Sequence, residues 1–288
     1  MDFKPSYVLL FLMIGFLLRK TLYDLWDNML KIVMLNLGFL ASVAFPIFIP
    51  SLLANSTGIS MLEPVLTVIG FIFCCIYLST ASYTIKSISD YGTFTFGNFI
   101  RNIKLAWSAG FVMGILLIIL FFPMFPGVEN GEMTIKSVAA IILGFYMELN
   151  PPLLGLALTA IIFWALIFAF LSFQFYFTVY ARLGSKIKKS FKKCMLIALD
   201  NTGLAVFMVI NNLIALVISV IFAFMFPGPV GILLYLDEAL RLRLLKYDWL
   251  EANPGANRKK IPWDELLIEE RERTGRRTFK NFIFPWKD

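Results

Sequence analysis

The chain has 288 residues, 59% of them apolar and only 16% charged, with a mean hydropathy of +0.78. Soluble domains run nearer half apolar and a quarter charged, so this composition excludes one, and several windows of about 20 apolar residues point to a polytopic membrane bundle. A net charge of +7 with no histidine excludes more: the cations flank apolar runs, where they set topology rather than bind nucleic acid, and the commonest general base and metal ligand is missing.

Residues 7–18 form an apolar run followed by Arg19 and Lys20. No small-residue cleavage site of a signal peptide follows it, and twelve residues of helix reach only about 18 Å. The expectation is an interfacial or half-inserted helix, with a retained extra span as the rival. Tyr23 to Lys31 is amphipathic, Leu25, Trp26 and Met29 opposing Asp24, Asp27 and Asn28. Residues 1–30 are thus an N-terminal segment, 31–245 a transmembrane unit and 246–288 a cytoplasmic tail.

The first span, about 31–53, carries Asn36, and its Pro46 and Pro50 should kink or end it. The loop from Ala54 to Met61 has no cation and lies outside. The second span, about 62–85, holds Ser79, Thr80, Ser82 and Thr84 in its inner half. Lys86, Arg101 and Lys104 around Asp90 return the chain to the inside before a third span, about 103–122. The loop with Glu129 and Glu132 is outside, and the short apolar run 135–147 reads as an interfacial or re-entrant helix.

The fourth span, about 153–180, and the fifth, about 196–226, flank a basic elbow. It carries Arg182, Lys186, Lys188, Lys189, Lys192 and Lys193, with no acid until Asp200. Cations are costly to move through hydrocarbon, so the elbow stays in the cytoplasm. Phe226-Pro227-Gly228-Pro229 is an outer turn. Val230 to Leu245 is a short sixth segment, broken by Asp237 and Glu238 but required if the tail is inside. The expected architecture is an all-α polytopic bundle of about six segments in the inner (plasma) membrane, with the N-terminus, both basic connections and the C-terminus cytoplasmic.

Spans two and three echo spans four and five. Phe99–Trp107 aligns with Phe191–Leu199, and both connections face inward, which makes any repeat parallel rather than inverted. Convergent composition explains the echo as well as duplication does.

Three motifs resemble the YesL family of small bacterial membrane proteins: Asn28–Leu37 leading to Phe45-Pro46, the aromatic and basic connection Phe94–Lys104, and Phe177-Thr178-Val179-Tyr180-Ala181-Arg182 running through Phe191-Lys192-Lys193 to Asp200-Asn201. The resemblance covers roughly residues 23–245; the first 20 residues, the 123–152 insertion and the tail depart from it. It implies an accessory role beside a carbohydrate ABC importer and supplies no catalytic residues.

Polar side chains within spans are the first functional candidates: Asn36, Gln174, Asn211 and Asn212. They either line a transport path or, more plainly, bond helices together. The elbow cations and the tail residues Arg276, Arg277, Phe279, Phe282, Phe284 and Trp286 suit docking to anionic lipid or an acidic partner, though topology alone also explains the elbow. The elbow lacks the glutamate-alanine-alanine…glycine pattern of an importer permease. Cys74, Cys75 and Cys194 match neither a disulfide framework nor a zinc site and read as buried, inert thiols. No nucleophile motif or phosphate loop appears, so the reading is a non-enzymatic accessory or scaffold protein without cofactor or metal. Its partners would be the lipid bilayer and membrane proteins such as ABC importer subunits, not nucleic acid. The alternative is a small-molecule transporter or channel.

Overall fold

The computed structural model describes residues 6–59, 61–93, 95–121, 125–129, 132–136, 144, 152–184, 186–258 and 261–275. Helix α1 spans Ser6–Asp27 and α2 Met29–Thr57. Hydrogen bonding continues across their junction, with the Asn28 amide on the Asp24 carbonyl (3.1 Å) and the Ile32 amide on Asn28 (3.0 Å). The apolar run and the amphipathic stretch as far as Asp27 are one helix, and Met29 to Lys31 open the next. Met13, Phe16, Leu17 and Leu25 of α1 are buried in the protein core, so this face lies on protein rather than on a lipid surface.

Helix α2 continues through Pro46 and Pro50 to Thr57, where Gly58 closes it at φ 71° with its amide on Ala54 O (2.9 Å). Intramembrane prolines are tolerated where neighbours pack around the lost bond. Here Gly70 of α3 (Leu62–Ser89) provides the space: a Cβ at that glycine would sit 2.7 Å from Pro46 Cβ. Helix α4 (Phe96–Phe121) meets α3 through Ala106, Gly110 and Gly114, small residues spaced four apart that let two backbones approach. The Ser79 hydroxyl donates to the Ala106 carbonyl at 3.0 Å in the same contact.

Beyond α4 lies a two-stranded antiparallel hairpin, β1 (Phe125–Glu129) and β2 (Glu132–Lys136), in register from Phe125↔Lys136 to Glu129↔Glu132. The expected helix over 135–147 is corrected at its start, since Ile135 and Lys136 belong to β2. Apart from residue 144, its remainder lies outside the described residues.

The expected fourth and fifth spans each divide. Helix α5 (Pro152–Phe173) is separated from α6 (Tyr176–Leu183), and the basic α7 (Ile187–Asp200) breaks at Asn201 from α8 (Thr202–Ile221). The elbow is thus two short helices joined at Gly184, not a tight loop between continuous rods. The internal echo meets the same break: Phe99–Trp107 opens the unbroken α4, whereas Phe191–Leu199 lies in α7.

Among the described residues, five helices are long and apolar enough to cross a membrane: α2, α3, α4, α5 from Leu153, and α8. Their outer faces carry bare apolar side chains such as Leu153, Trp164, Phe170, Val217 and Ile221. Exposed apolar surface on this scale marks lipid contact. The chain is an all-helical, multi-pass membrane bundle with a small hairpin insertion.

The expected sixth segment is a longer helix, α9 (Gly228–Ala252), and it is not among the five apolar spans. It is a central post packed against α1, α2, α3, α6 and α8. Asp237 and Glu238, which interrupt its apolar run, are both fully buried. The tail folds back in two short helices, α10 (Trp263–Leu266) and α11 (Ile268–Thr274), rather than one, and α10 packs on α1.

Candidate functional site

The most concentrated chemistry lies where α1, α3, α6, α9 and α11 meet. It begins at the C-terminus of α3, where Tyr91 takes φ 59°, its amide bonds Ile88 O (2.9 Å) and the Gly92 amide bonds Ser87 O (2.7 Å). This is a Schellman closure, with a tyrosine where glycine is usual. It leaves the Ser89 carbonyl free, and two cations take it: Lys20 Nζ at 3.2 Å and Arg241 Nη1 at 2.5 Å. Cations at a helix C-terminus answer its partial negative charge.

The same cations bind acids. Lys20 reaches Glu238 Oε1 at 2.5 Å and Asp24 Oδ2 at 2.7 Å. Arg182 grips Asp237 with two nitrogens, Nε–Oδ1 at 2.8 Å and Nη2–Oδ2 at 2.5 Å. It also donates to Asp90 Oδ1 at 3.0 Å and to the Ser89 hydroxyl at 2.8 Å. Arg241 pairs with Glu270 at 2.7 Å. The strained Tyr91 serves two of them: Lys20 Nζ and the Arg241 guanidinium lie 4.6 and 5.2 Å from its ring centroid, and its hydroxyl donates to Glu270 at 3.1 Å.

Burial pushes the Asp237 and Glu238 carboxyls above the usual carboxylate range, against the pull of Arg182 and Lys20. Burial alone would lower Arg182, but Asp237 and Asp90 hold it above its ordinary value. A second cluster locks the break between α7 and α8 to the post. Asp200 accepts from Lys246 at 2.8 Å and Tyr247 at 2.9 Å, and Asn201 donates to the Tyr247 hydroxyl at 2.6 Å. Burial opposes ionisation of Asp200, yet those bonds hold it below the usual range. The Arg243 guanidinium, 5.6 Å above the Trp263 ring, ties in the tail.

The intramembrane candidates separate into two places. Asn36 is committed to the turn between α8 and α9: its amide donates to Met225 O (2.9 Å) and Pro227 O (2.7 Å), and its Oδ1 accepts from Val230 (3.0 Å). Gln174 and Asn212 meet each other at 3.3 Å, and Gln174 also donates to Ala205 O at 3.0 Å. Asn211 Nδ2 and Asn212 Oδ1 have no hydrogen-bond partner among the described residues. Asn36→Ala is expected to cost about 2 kcal/mol, because it orphans three backbone groups at the base of the post; guanidinium-free unfolding in mixed micelles measures it.

The elbow cations also separate. Arg182 is turned inward into the junction, with its side chain 8% exposed, and is not presented for docking. Lys186, Lys188, Lys189 and Lys192 are exposed, Lys193 is half-buried, and none forms a salt bridge among the described residues. Arg276, Arg277, Phe279, Phe282, Phe284 and Trp286 lie outside the described residues. All three cysteines are buried and free, and burial raises the Cys194 thiol to about 12, which keeps it protonated and inert. Among the described residues no group of acids and cysteines is placed to hold a metal.

No family model, curated protein or solved structure matches this chain.

Lys20, Asp24, Asp90, Tyr91, Arg241 and Glu270 were not picked out as site residues from sequence. The signal was the adjacent acids Asp237 and Glu238 in an apolar helix, since buried charges demand partners. Sequence spacing does not name partners that are 55 and 218 residues away.

Proposed function

We propose that this chain is a non-enzymatic accessory or scaffold protein of the plasma membrane, YesL-like in kind and serving a carbohydrate ABC uptake system. The observation that carries the reading is the exposed lysine face of α7. Its cations lack salt-bridge partners among the described residues, while Arg182 beside them is sequestered in the junction. Lys20–Glu238 ties the N-terminal helix to the post, Arg182–Asp237 ties α6 to it, and Arg241–Glu270 ties on the tail. A fixed end with a free basic face is suited to holding an acidic partner surface or anionic lipid.

The positive-inside rule places that end in the cytoplasm. Lys188→Glu/Lys189→Glu/Lys192→Glu reverses the face without touching the junction. Mild-detergent pull-down from native membranes should recover a membrane-protein partner with the parent chain, and at least tenfold less with the triple variant. Recovery of the chain alone counts against the scaffold reading.

A transporter or channel is the second reading, favoured by the unpaired Asn211 and Asn212 atoms beside Gln174 within the spans. Polar groups left unbonded at that depth are costly unless they meet a ligand or another helix. Solute flux by the purified chain in liposomes, reduced by Asn211→Leu, would select this reading.

A further inference from the structure

An open cavity of about 380 Å³ lies at the turn between α3 and α4. Thr84, Lys86 and Ser87 of α3 line it, facing Asn98, Arg101 and Asn102 of α4. Its two cations, Lys86 and Arg101, form no salt bridge among the described residues. Lys86 donates to a carbonyl, Ala181 O, at 3.3 Å, and Arg101 to an amide, Asn98 Oδ1, at 2.9 Å. The acid at the rim, Asp90, is already held by Arg182. The first turn of α4 borders the cavity, and helix N-terminal amides favour an anion.

Thr84 supplies an independent sign of a ligand. The hydroxyls of Thr80 and Ser82 return to the carbonyl four residues back, at 2.8 and 3.0 Å. Thr84, 3% exposed, makes no such bond, and its hydroxyl has no partner. A buried hydroxyl left unbonded costs about 1–3 kcal/mol and is uncommon in native structures.

We propose that this cavity binds a phosphate ester bearing free hydroxyls, with the phosphate between Lys86 and Arg101, the hydroxyls on Ser87 and the two asparagines, and the buried Thr84 hydroxyl turning to meet the ligand once it is bound. The ester is either a free phosphorylated polyol or the head group of a phosphatidylglycerol-type lipid. Two cations with a helix terminus select phosphate. The neutral hydroxyl and amide lining selects a polyol over a bare anion, because such groups discriminate by being left unpaired when the ligand lacks a match. The site is separate from the lysine face of α7 and stands or falls without it.

The test uses the full chain in phosphatidylcholine nanodiscs, titrated calorimetrically with glycerol 3-phosphate, glycerol and inorganic phosphate, then repeated with phosphatidylglycerol in the discs. Saturable binding of glycerol 3-phosphate, undetectable for glycerol and at least tenfold weaker for inorganic phosphate, is the expected result. Suppression of that binding by phosphatidylglycerol assigns the lipid as the source; indifference to it assigns the free ester. Arg101→Gln and Thr84→Val should each weaken binding roughly tenfold, the worth of one good hydrogen bond. Thr84→Val should not lower thermal stability, since its hydroxyl bonds nothing in the empty site; Asn98→Ala serves if that variant fails to fold. Absence of saturable binding in both disc types, equal affinity for inorganic phosphate, or variants that bind like the parent would overturn the proposal.

Discussion

Asp237→Ala is expected to destabilise the chain by about 3 kcal/mol or more, because it leaves the buried Arg182 guanidinium without its two-nitrogen partner. Asp90 remains 3.0 Å from Arg182 but is 40% exposed, so it does not replace a fully buried carboxylate. The informative comparison is the double variant Arg182→Met/Asp237→Leu, which removes both charges and should recover most of the loss. Breaking a buried pair is expensive, whereas replacing it by apolar groups is often neutral. Reversible unfolding in mixed micelles gives both values. A single variant that costs less than about 1 kcal/mol would place this pair among solvent-screened surface bridges.

Gly110→Val is expected to cost about 3 kcal/mol by the same measurement, at the upper end of ordinary overpacking. A Cβ at Gly110 would stand 2.3 Å from Ile76 Cα, 2.6 Å from Ile76 N and 2.7 Å from Cys75 O. These are backbone atoms of α3, so no side-chain rotation relieves the clash and the two helices must separate. Gly97 makes a sharp control on the same helix: among the described residues nothing lies within 4 Å of its Cβ position, and Gly97→Ala should be neutral or mildly stabilising. Equal effects at both positions would show that the close approach of α3 and α4 contributes nothing.

The parts of the fold governed by local composition were legible in the sequence. Apolar runs long enough for a bilayer announced α2, α3, α4, α5 and α8, and the two cation-rich connections announced which ends share a side. Boundaries set by tertiary contacts were not legible. The break at Asn201 depends on Tyr247 and Lys246 of the post holding Asp200 and Asn201, and nothing near residue 201 in sequence signals that. Helix α1 looked like a short interfacial or half-inserted helix because its apolar run stops at Arg19. Yet Lys20 continues the helix profitably by reaching Glu238 and the end of α3. Arg182 looked like one more elbow lysine equivalent, and only the position of α9 separates its buried role from the exposed lysines four to ten positions on.

Asn36 was legible as a polar residue needing a bond, but its partners are backbone groups around 190 residues away. The same reasoning grouped it with Gln174, Asn211 and Asn212, whereas the fold sets it apart from them. Residue type located the polar atoms; the packing of the post decided which of them face one another.

If flanking cations set the topology, the junction end and the lysine face of α7 are cytoplasmic and the end of α2 lies on the opposite side. Single reporters at Lys189→Cys and Ser56→Cys test it in sealed cells treated with a membrane-impermeant maleimide, since the native cysteines are buried and give little background. Ser56→Cys should label in intact cells and Lys189→Cys only after the membrane is opened. The reverse pattern, or labelling of both from outside, would contradict the account.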